Sequence, residues 1–442
     1  MGADMKRSVI LAVFSSMVFG IFPVVQFLYA QTESESGEQA TEVAPCHYAL
    51  SDDALTCTPT CYNDQNGQYA WFRILKNASR LKFQGWVESG LYVNSHGIKS
   101  AYDTDGLIDN SGNGPMYPQG LRTTNYNMNQ LWASLAREID CKNGLDWGFR
   151  TDFVYGMSAG DIQSNGDDSF DSGWGNGDYD FGFFQLYGEV GYKKLSAKYG
   201  KFGTPLGWES VPSWDNFFYS HSYCYSIEPT THTGVLVDYR LTDRLKLVGG
   251  WTAGMESGFT NRYNDKAILA GLELRLRQNA NIYYYMTQGR MKNGLEPDNT
   301  NRFDGGLDTD YFIHSLCFEW NPAEKFTHTL QYNLSNLNEI GGDSASAYGV
   351  SNCLLYTFDD RWSVGLRAEW FRDNGVLAYE NAANDSINTD ILQVTYGLNY
   401  NPTDWLRIRP EIRYDRAFKN EIFATGTKKE QITGGFAVLI GF

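Results

Sequence analysis

The chain has 442 residues, with 52 acidic against 36 basic side chains and a formal net charge of −16. This acidic balance excludes nucleic acid as the main partner, because phosphate binding requires clustered lysine and arginine. Aromatic residues make up 15% of the chain and glycine contributes 45 residues, while the mean hydropathy is only −0.42. Such a composition excludes a bundle of membrane-spanning helices and is typical of half-polar strands joined by glycine-rich loops.

Residues 1–30 are predicted to be a signal peptide. Lys6 and Arg7 precede the apolar run Ser8–Phe22, and Ala30 is a small residue suited to the position before a cleavage point. A membrane anchor is the alternative, but the apolar run is shorter than the ~20 residues that a spanning helix needs. We therefore expect an exported protein.

Residues 31–80 are predicted to be a periplasmic, partly disordered segment. Its first part, Gln31–Ala44, is rich in Ser, Glu and Gln, which is typical of a disordered linker. In an oxidising compartment we expect one disulfide among the three cysteines that follow, with one thiol left over. These cysteines are Cys46, Cys57 and Cys61. A zinc site with His47 as fourth ligand is the alternative, although the spacing fits no usual zinc pattern.

Residues 81–442 divide into about sixteen segments in which apolar and polar residues alternate, from Leu81–Asn94 to Gln431–Phe442. Tight turns such as Lys193-Lys194 alternate with long connections such as Gly203–Thr233, and this alternation continues without a break. An even strand number with alternating short and long connections is typical of a transmembrane barrel. The sequence therefore predicts an all-β protein, an antiparallel up-and-down barrel with short periplasmic turns and long extracellular loops.

The segments Arg361–Phe371 and Trp405–Asp415 indicate which face of the barrel looks inward. Each alternates apolar residues with charged ones. A charged side chain facing lipid at the bilayer midplane would cost about 2–4 kcal/mol, so the charged face should line the lumen. An interior with so many charges should hold water rather than form a dry core. The predicted pore-lining residues are Arg367, Glu369, Arg407, Arg409, Glu411 and Arg413.

Outward aromatic residues are predicted to form two girdles at the membrane interfaces. The residues beside the short turns are Trp320, Phe326, Phe358, Trp362 and Tyr400. Those near the ends of the long loops are Trp251, Trp370 and Tyr414. Other aromatic residues are placed on the lumen side by the alternation of their strands. Packing in the wall is the simpler role for them, although a sugar channel would use such rings for stacking. They are Trp86, Tyr92, Trp132, Tyr283 and Tyr285.

Three features carry a resemblance to a known family: the segment Leu81-Lys-Phe-Gln-Gly-Trp-Val-Glu-Ser-Gly90, the segment Lys198-Tyr-Gly-Lys-Phe-Gly-Thr-Pro-Leu-Gly207, and Phe442. The chain resembles the OmpL-like outer-membrane porins grouped as putative β-barrel porin-2, over residues 81–442. This resemblance implies a passive channel in the cell outer membrane, in contact with outer-membrane lipid and open to small hydrophilic solutes. Many porins of this size are homotrimers, but no residue pattern here fixes that state.

The long connection Gly203–Thr233 is expected to fold into the barrel and narrow the pore. The candidate constriction residues are Glu209, Asp215 and Glu228. These carboxylates would face the wall arginines and create a transverse field, a common means of selection in pores. The alternative is that the arginines pair with acids on their own strands and stiffen the sheet. Those acids are Glu369, Glu411 and Asp415.

Other patterns favour neither catalysis nor a cofactor. The histidines are scattered and none lies beside a serine in a recognisable elbow, so we expect no enzyme activity and no metal centre. The acidic stretch Asp167–Asp180 has carboxylates suited to calcium, but its order is not that of an EF-hand, and a surface loop is the simpler interpretation. A barrel that only displays loops or anchors the envelope, with a plugged lumen, is the alternative function.

Cys317 and Cys353 are predicted to face the lumen from strands that are separated by one other strand. Neighbouring strands lie about 4.8 Å apart, so the two Cα atoms should be about 10 Å apart. A disulfide requires Cα atoms within about 7 Å. We therefore expect both thiols to be free.

Overall fold

The computed structural model describes residues 80–96, 126–141, 144–164, 170–171, 179–259, 265–291, 308–340, 342, 344–377, 388–424 and 426–442. The predicted signal peptide, the cysteine-containing segment up to residue 79 and most of the acidic stretch 167–180 lie outside these residues. The predictions about a disulfide, a zinc site or a calcium site in those segments therefore stay predictions.

The described strands form one closed antiparallel barrel in which neighbours in sequence are neighbours in space. The sixteen strands are Leu81–Asn94 (β1), Asn127–Arg137 (β2), Leu145–Gly156 (β3), Asp180–Tyr192 (β4), Leu195–Gly203 (β5), Thr231–Thr242 (β6), Leu245–Met255 (β7), Lys266–Arg277 (β8), Ala280–Met291 (β9), Thr309–Ala323 (β10), Phe326–Glu339 (β11), Ser344–Thr357 (β12), Trp362–Asn374 (β13), Thr389–Thr403 (β14), Leu406–Ala417 (β15) and Glu430–Gly441 (β16). The predicted fold class and strand number are confirmed.

The strand ends differ from the predicted ones where the sequence is small and polar. β12 begins at Ser344 although the alternating pattern predicts a start at Tyr348, and β11 continues to Glu339 beyond the predicted end at Ser335. These residues pair across the two strands, Asn338 with Ser344 and Asn336 with Ser346. Small polar residues have weak strand propensity, so only the partner strand makes this extension stable.

The barrel closes where β1 pairs with β16. The Gly85 N–H donates to the Phe442 carbonyl at 3.0 Å, and the Phe442 N–H donates to the Gly85 carbonyl at 2.8 Å. A Cβ atom at Gly85 would lie 2.4 Å from the Trp132 carbonyl and 2.6 Å from the Phe442 ring. The closure therefore requires glycine at position 85, and it leaves neither strand with an open edge.

The two faces of the wall differ as the alternation predicts. On β13 and β15, outward Trp362 and Ile412 are 39% and 55% exposed, whereas inward Arg367 and Arg413 are 1% and 0% exposed. The Trp362 ring stacks on Tyr400 with centroids 4.1 Å apart, among the residues predicted for the girdle near the short turns. The apolar face thus meets lipid, and the charged face meets whatever occupies the lumen.

Short helices interrupt two of the long connections. A 3₁₀ helix at Met157–Ile162 follows β3, and the connection after β5 contains the 3₁₀ helix Ser213–Asp215 and the α-helix Tyr223–Ser226 (α1). The hydroxyl oxygen of Ser222 caps α1 by accepting from the Tyr225 N–H. Elements this short show no helical periodicity, so the sequence pattern could not indicate them. Within the described ranges, no helix is long and apolar enough to cross a membrane.

Candidate functional site

The candidate site is formed by residues 204–230, here named the lumen loop, and the barrel wall around them. The loop connects β5 to β6, yet it binds strands far from both. On one side, Gln130 of β2 donates to the Val211 carbonyl at 2.7 Å and accepts from the Ser213 N–H at 3.0 Å. On the other side, Asn399 of β14 donates to the Phe217 carbonyl at 3.1 Å. The loop therefore crosses the inside of the barrel.

Two wall carboxylates hold the loop through its backbone N–H groups. Glu411 of β15 accepts from Tyr219 at 2.8 Å and from Ser220 at 3.1 Å. Glu369 of β13 accepts from Tyr223 at 2.8 Å and from Cys224 at 2.7 Å. The last two N–H groups belong to the first turn of α1, whose amides have no acceptor within the helix. Charged acceptors thus satisfy backbone donors that would otherwise be buried without partners.

Three wall arginines hold the loop through its carbonyl oxygens. Arg367 donates to the Ser220 carbonyl at 2.7 Å, and Arg413 donates to the His221 carbonyl at 2.7 Å. Arg409 donates to two loop carbonyls, those of residues 213 and 216, at 3.0 and 2.8 Å. It also pairs with Glu88 of β1. All three arginines are 1% exposed or less. Backbone groups of the loop, rather than water, therefore solvate most of the predicted pore-lining charges.

Arg407 differs from the other arginines because it is only half-buried. It donates to the Trp214 carbonyl at 2.7 Å and to the Asn401 side chain at 3.1 Å. Its guanidinium carbon lies 5.0 Å from the centre of the Trp214 ring, which is within the range of a cation–π contact. Arg407 thus holds the same loop and still reaches the solvent.

Glu209 is the loop carboxylate that meets a wall arginine directly. Its Oε1 lies 2.7 Å from Arg367, and its Oε2 accepts from the Ser222 N–H at 2.8 Å and lies 3.1 Å from His221 Nδ1. Burial disfavours ionisation of Glu209, but Arg367 and His221 outweigh it and lower the pKa of this carboxyl to about 2. Glu209 therefore stays charged and links the loop to β13.

Glu228 lies at the other end of the loop, and within the described ranges no arginine pairs with it. Gln331 and Asn333 of β11 donate to its Oε1, and a Cβ atom at Gly207 would lie 1.9 Å from its Oε2. Gly207 has φ +85°, a backbone conformation that favours glycine. Because Gly207 lies near the start of the loop and Glu228 near its end, the two ends of the loop meet at this carboxyl. Burial raises the pKa of Glu228 to about 8, against the two amide donors.

The three candidate constriction residues therefore do not act as one set. Glu209 contacts Arg367, Glu228 contacts the amides of β11, and Asp215 ends the 3₁₀ helix of the loop in a half-buried position. Among the wall acids, Asp415 pairs with Arg413 at 2.7 Å, whereas Glu369 and Glu411 bind loop amides. The arrangement combines elements of both sequence hypotheses, with the loop backbone as the partner that neither included.

Comparison with known sequences now identifies the family. The sequence model of the family described as putative beta-barrel porin-2, OmpL-like, matches residues 80–442. The chain belongs to this family. It is a porin of the outer membrane. A search of curated proteins found no match.

Solved structures of outer-membrane porins share the fold at low sequence identity. An anion-selective porin from Comamonas acidovorans is 10% identical with a TM-score of 0.53, and OmpT of Vibrio cholerae in its trimer form is 14% identical with a TM-score of 0.51. The match covers 82% of this chain and 99% of each of those chains. OprB of Pseudomonas putida is 13% identical with a TM-score of 0.51, covering 82% of this chain and 94% of its own.

The lumen loop of the porin also packs against apolar wall residues. Leu206, Trp208 and Ile227 belong to one buried cluster with inward residues of β6 to β10. Those wall residues include Leu236, Val248, Leu269, Tyr285 and Ile313. Val211 and Trp214 join a second cluster with Trp86, Trp132 and Phe184 near the start of the barrel. The loop is thus held by charged groups on β13 to β15, by amide side chains on β2 and β11, and by apolar packing against the wall.

The aromatic residues considered for sugar stacking pack in the wall. Trp86 and Trp132 stack on each other with centroids 4.8 Å apart, and both are buried. The Tyr285 hydroxyl donates to Glu273 on the neighbouring strand, and Tyr283 is buried as well. The structure does not describe the side chain of Tyr92. These contacts favour the interpretation as packing residues.

Inward-facing glycines leave the space that side chains of the loop occupy. A Cβ atom at Gly365 would lie 2.4 Å from the Phe217 ring, and one at Gly397 would lie 2.9 Å from the Phe218 ring. Gly349 similarly leaves room for Cys224 of the loop. Glycine recurring at lumen parity in three adjacent strands is a readable signal, because glycine inside a strand marks a close approach of another group.

The predicted free cysteines are confirmed. Cys317 and Cys353 are buried free thiols on β10 and β12, with β11 between them. Cys224 of the lumen loop is also a buried free thiol.

Proposed function

We propose that this porin forms a passive diffusion channel for small hydrophilic solutes, with the lumen loop setting the size and charge of its opening. The observation that carries the proposal is the closed barrel of a porin-family chain whose charged face points inward. Lipid covers the apolar outside, so the charges serve the inside. Passive diffusion needs neither a nucleophile nor a cofactor, and we infer that the protein is not an enzyme.

In this proposal the wall charges act mainly by fixing the loop. Arg367, Arg409, Glu369 and Glu411 place its backbone, while half-buried Arg407 adds positive charge that ions can reach. We therefore expect Arg407→Gln to shift the reversal potential in a salt gradient toward cations. An unchanged reversal potential would remove Arg407 from the ion path.

The test of the function is a conductance measurement on the full-length protein in planar bilayers. Repeated unitary current steps are expected, and their size should rise in proportion to salt concentration. Persistent silence at high protein density would contradict the channel and favour the second candidate, a barrel that anchors or displays loops. The nearly complete burial of the inward side chains is the observation that favours this second candidate.

A homotrimer is part of the proposal. Its support is the likeness to OmpT of Vibrio cholerae in its trimer form, at 14% identity. Chemical crosslinking in native outer membranes is expected to give a three-subunit band, and a ladder that ends at one subunit would contradict it.

A further inference from the structure

Inward side chains are buried around the whole ring of described strands. Each of the sixteen described strands contributes at least one inward side chain that is no more than 7% exposed. In strand order they are Glu88, Gln130, Val154, Phe184, Lys198, Leu236, Val248, Leu269, Tyr285, Ser315, Asn333, Ser351, Glu369, Thr395, Arg413 and Ala437.

A water-filled path must be bounded by side chains that water reaches. The loop is a single strand of chain and cannot enclose a pore by itself, so any opening would expose part of the wall. Arg413 and Asn333, on strands β15 and β11, are both 0% exposed and both bond the loop backbone. At these two strands the wall is therefore covered by the loop.

We propose that the lumen loop is a movable plug and that this structure is the closed state of the channel. The inference rests on the proposed channel function. On β13 to β15 the loop is held by bonds from wall charges to its backbone, and water can replace each of these bonds once the loop withdraws. Withdrawal would uncover Arg367, Glu369, Glu411 and Arg413 as a charged, wettable lining. The residues that hold the plug in the closed state would thus line the open pore.

The chain offers a direct way to lock the plug. Cys224 lies in α1 of the loop, and a Cβ atom built at Gly349 of β12 would lie 2.8 Å from the Cys224 sulfur. In a disulfide, each Cβ lies about 3 Å from the sulfur of the other cysteine. The Gly349→Cys variant is therefore expected to form a disulfide with native Cys224 on oxidation.

If the loop must move, oxidised Gly349→Cys should conduct at least tenfold less than the wild type, and a reducing agent should restore the current. The matched control is the double variant Gly349→Cys with Cys224→Ala. It carries the same wall substitution but cannot form this disulfide, so its current should be the same before and after oxidation. Equal currents before and after oxidation, with the bond verified by peptide mapping, would overturn the plug.

A second variant separates the plug from the channel itself. Residues 208–228 are replaced by a short Gly-Ser linker, and folding is checked by circular dichroism. A larger current than in the wild type shows that the loop obstructs the channel, and the disulfide test then decides whether it moves. A current no larger than that of a conducting wild type overturns the plug while leaving the channel. If both folded proteins give no current, the channel function is wrong, and the plug proposal that rests on it is wrong as well.

Discussion

The two sides of the lumen hold the same loop by different physical means. On β13 to β15, buried charges bind individual backbone groups such as the Tyr219 N–H and the His221 carbonyl. On β6 to β10, apolar residues such as Leu269 share a cluster with Leu206 of the loop. Hydrogen bonds are directional, whereas apolar burial scales with area and tolerates sliding. The polar wall therefore fixes where the loop lies, and the apolar wall adds packing that is less specific to position.

The largest expected effect comes from breaking the polar side at Arg409. Arg409→Gln leaves Glu88 buried without its cation and removes the donor to the Ser213 carbonyl. Removing one partner of a buried ion pair costs about 3–5 kcal/mol. Urea unfolding of the barrel in lipid vesicles would measure the loss. Arg416→Gln, which breaks an exposed pair with Glu430, is the control and should cost less than about 1 kcal/mol.

On the apolar side, Leu269→Ala should destabilise the barrel without moving the loop. Leu269 is fully buried, and removing such a side chain costs about 2–5 kcal/mol. Hydrogen exchange at the amides of Tyr219 and Ser220 should stay as slow as in the wild type, because Glu411 still binds them. Fast exchange at these amides would show that the apolar wall also positions the loop.

Glu411→Gln should produce the opposite pattern. Bonds to charged groups contribute about 1.5–3 kcal/mol and neutral ones about 0.5–1.5, so the loss should be about 1–2 kcal/mol. Hydrogen exchange should accelerate at the amides of Tyr219 and Ser220, because both donate hydrogen bonds to Glu411. The amide of Cys224, held by Glu369, is the internal control. Uniform acceleration at all three amides would mean that the loop is released as one unit.

At pH 5 the smallest effect is expected at Glu228, and this effect should grow as pH rises. Its pKa rises from an unfolded value near 4.3 to about 8 in the folded protein. The folded state then binds more protons than the unfolded state between these values, so this group's stabilisation is lost as pH rises from about 4.5 to 8. The pKa of Glu209 is instead lowered to about 2. Its contribution to the stability of the folded protein is therefore present above about pH 4.5 and is lost as the pH falls toward 2.

The Glu228→Gln variant should therefore keep its stability as pH rises, whereas at pH 5 its free energy of unfolding should differ little from that of the wild type. The measurement is the free energy of unfolding of variant and wild type at pH 5, 7 and 9. The difference between the two proteins should grow in favour of the variant as pH rises. A constant difference across this range would mean that Glu228 is ionised in the folded state throughout.

The fold was readable from the sequence because a membrane imposes a strict alternation on every strand. On β13, the alternation alone places Trp362 on the outer face and Arg367 on the inner face. The alternation of short turns and long loops then indicates an up-and-down barrel. The candidate site was only partly readable. Parity placed the arginines inside the barrel, but it carries no information about the path of a loop.

The partners of the wall charges were the part that could not be predicted. Arg409 pairs with Glu88, which lies 321 positions away in sequence, and its other partners are loop carbonyls. Backbone groups are present at every residue, so composition and spacing do not show which of them a charge will meet. The inward glycines at positions 349, 365 and 397 were the available signal, since each leaves space for a loop side chain.

The pairing of Gly85 with Phe442 also governs how the barrel can be assembled. A partial barrel leaves two strand edges whose N–H and C=O groups have no partner in a bilayer, so no group of fewer strands is a stable stopping point. The joined residues lie almost the whole barrel apart along the chain, and such distant contacts form slowly. Before the ring closes, aromatic strands with open edges are prone to aggregate. The chain must therefore be shielded from its own copies throughout transit, and insertion should occur as one cooperative event.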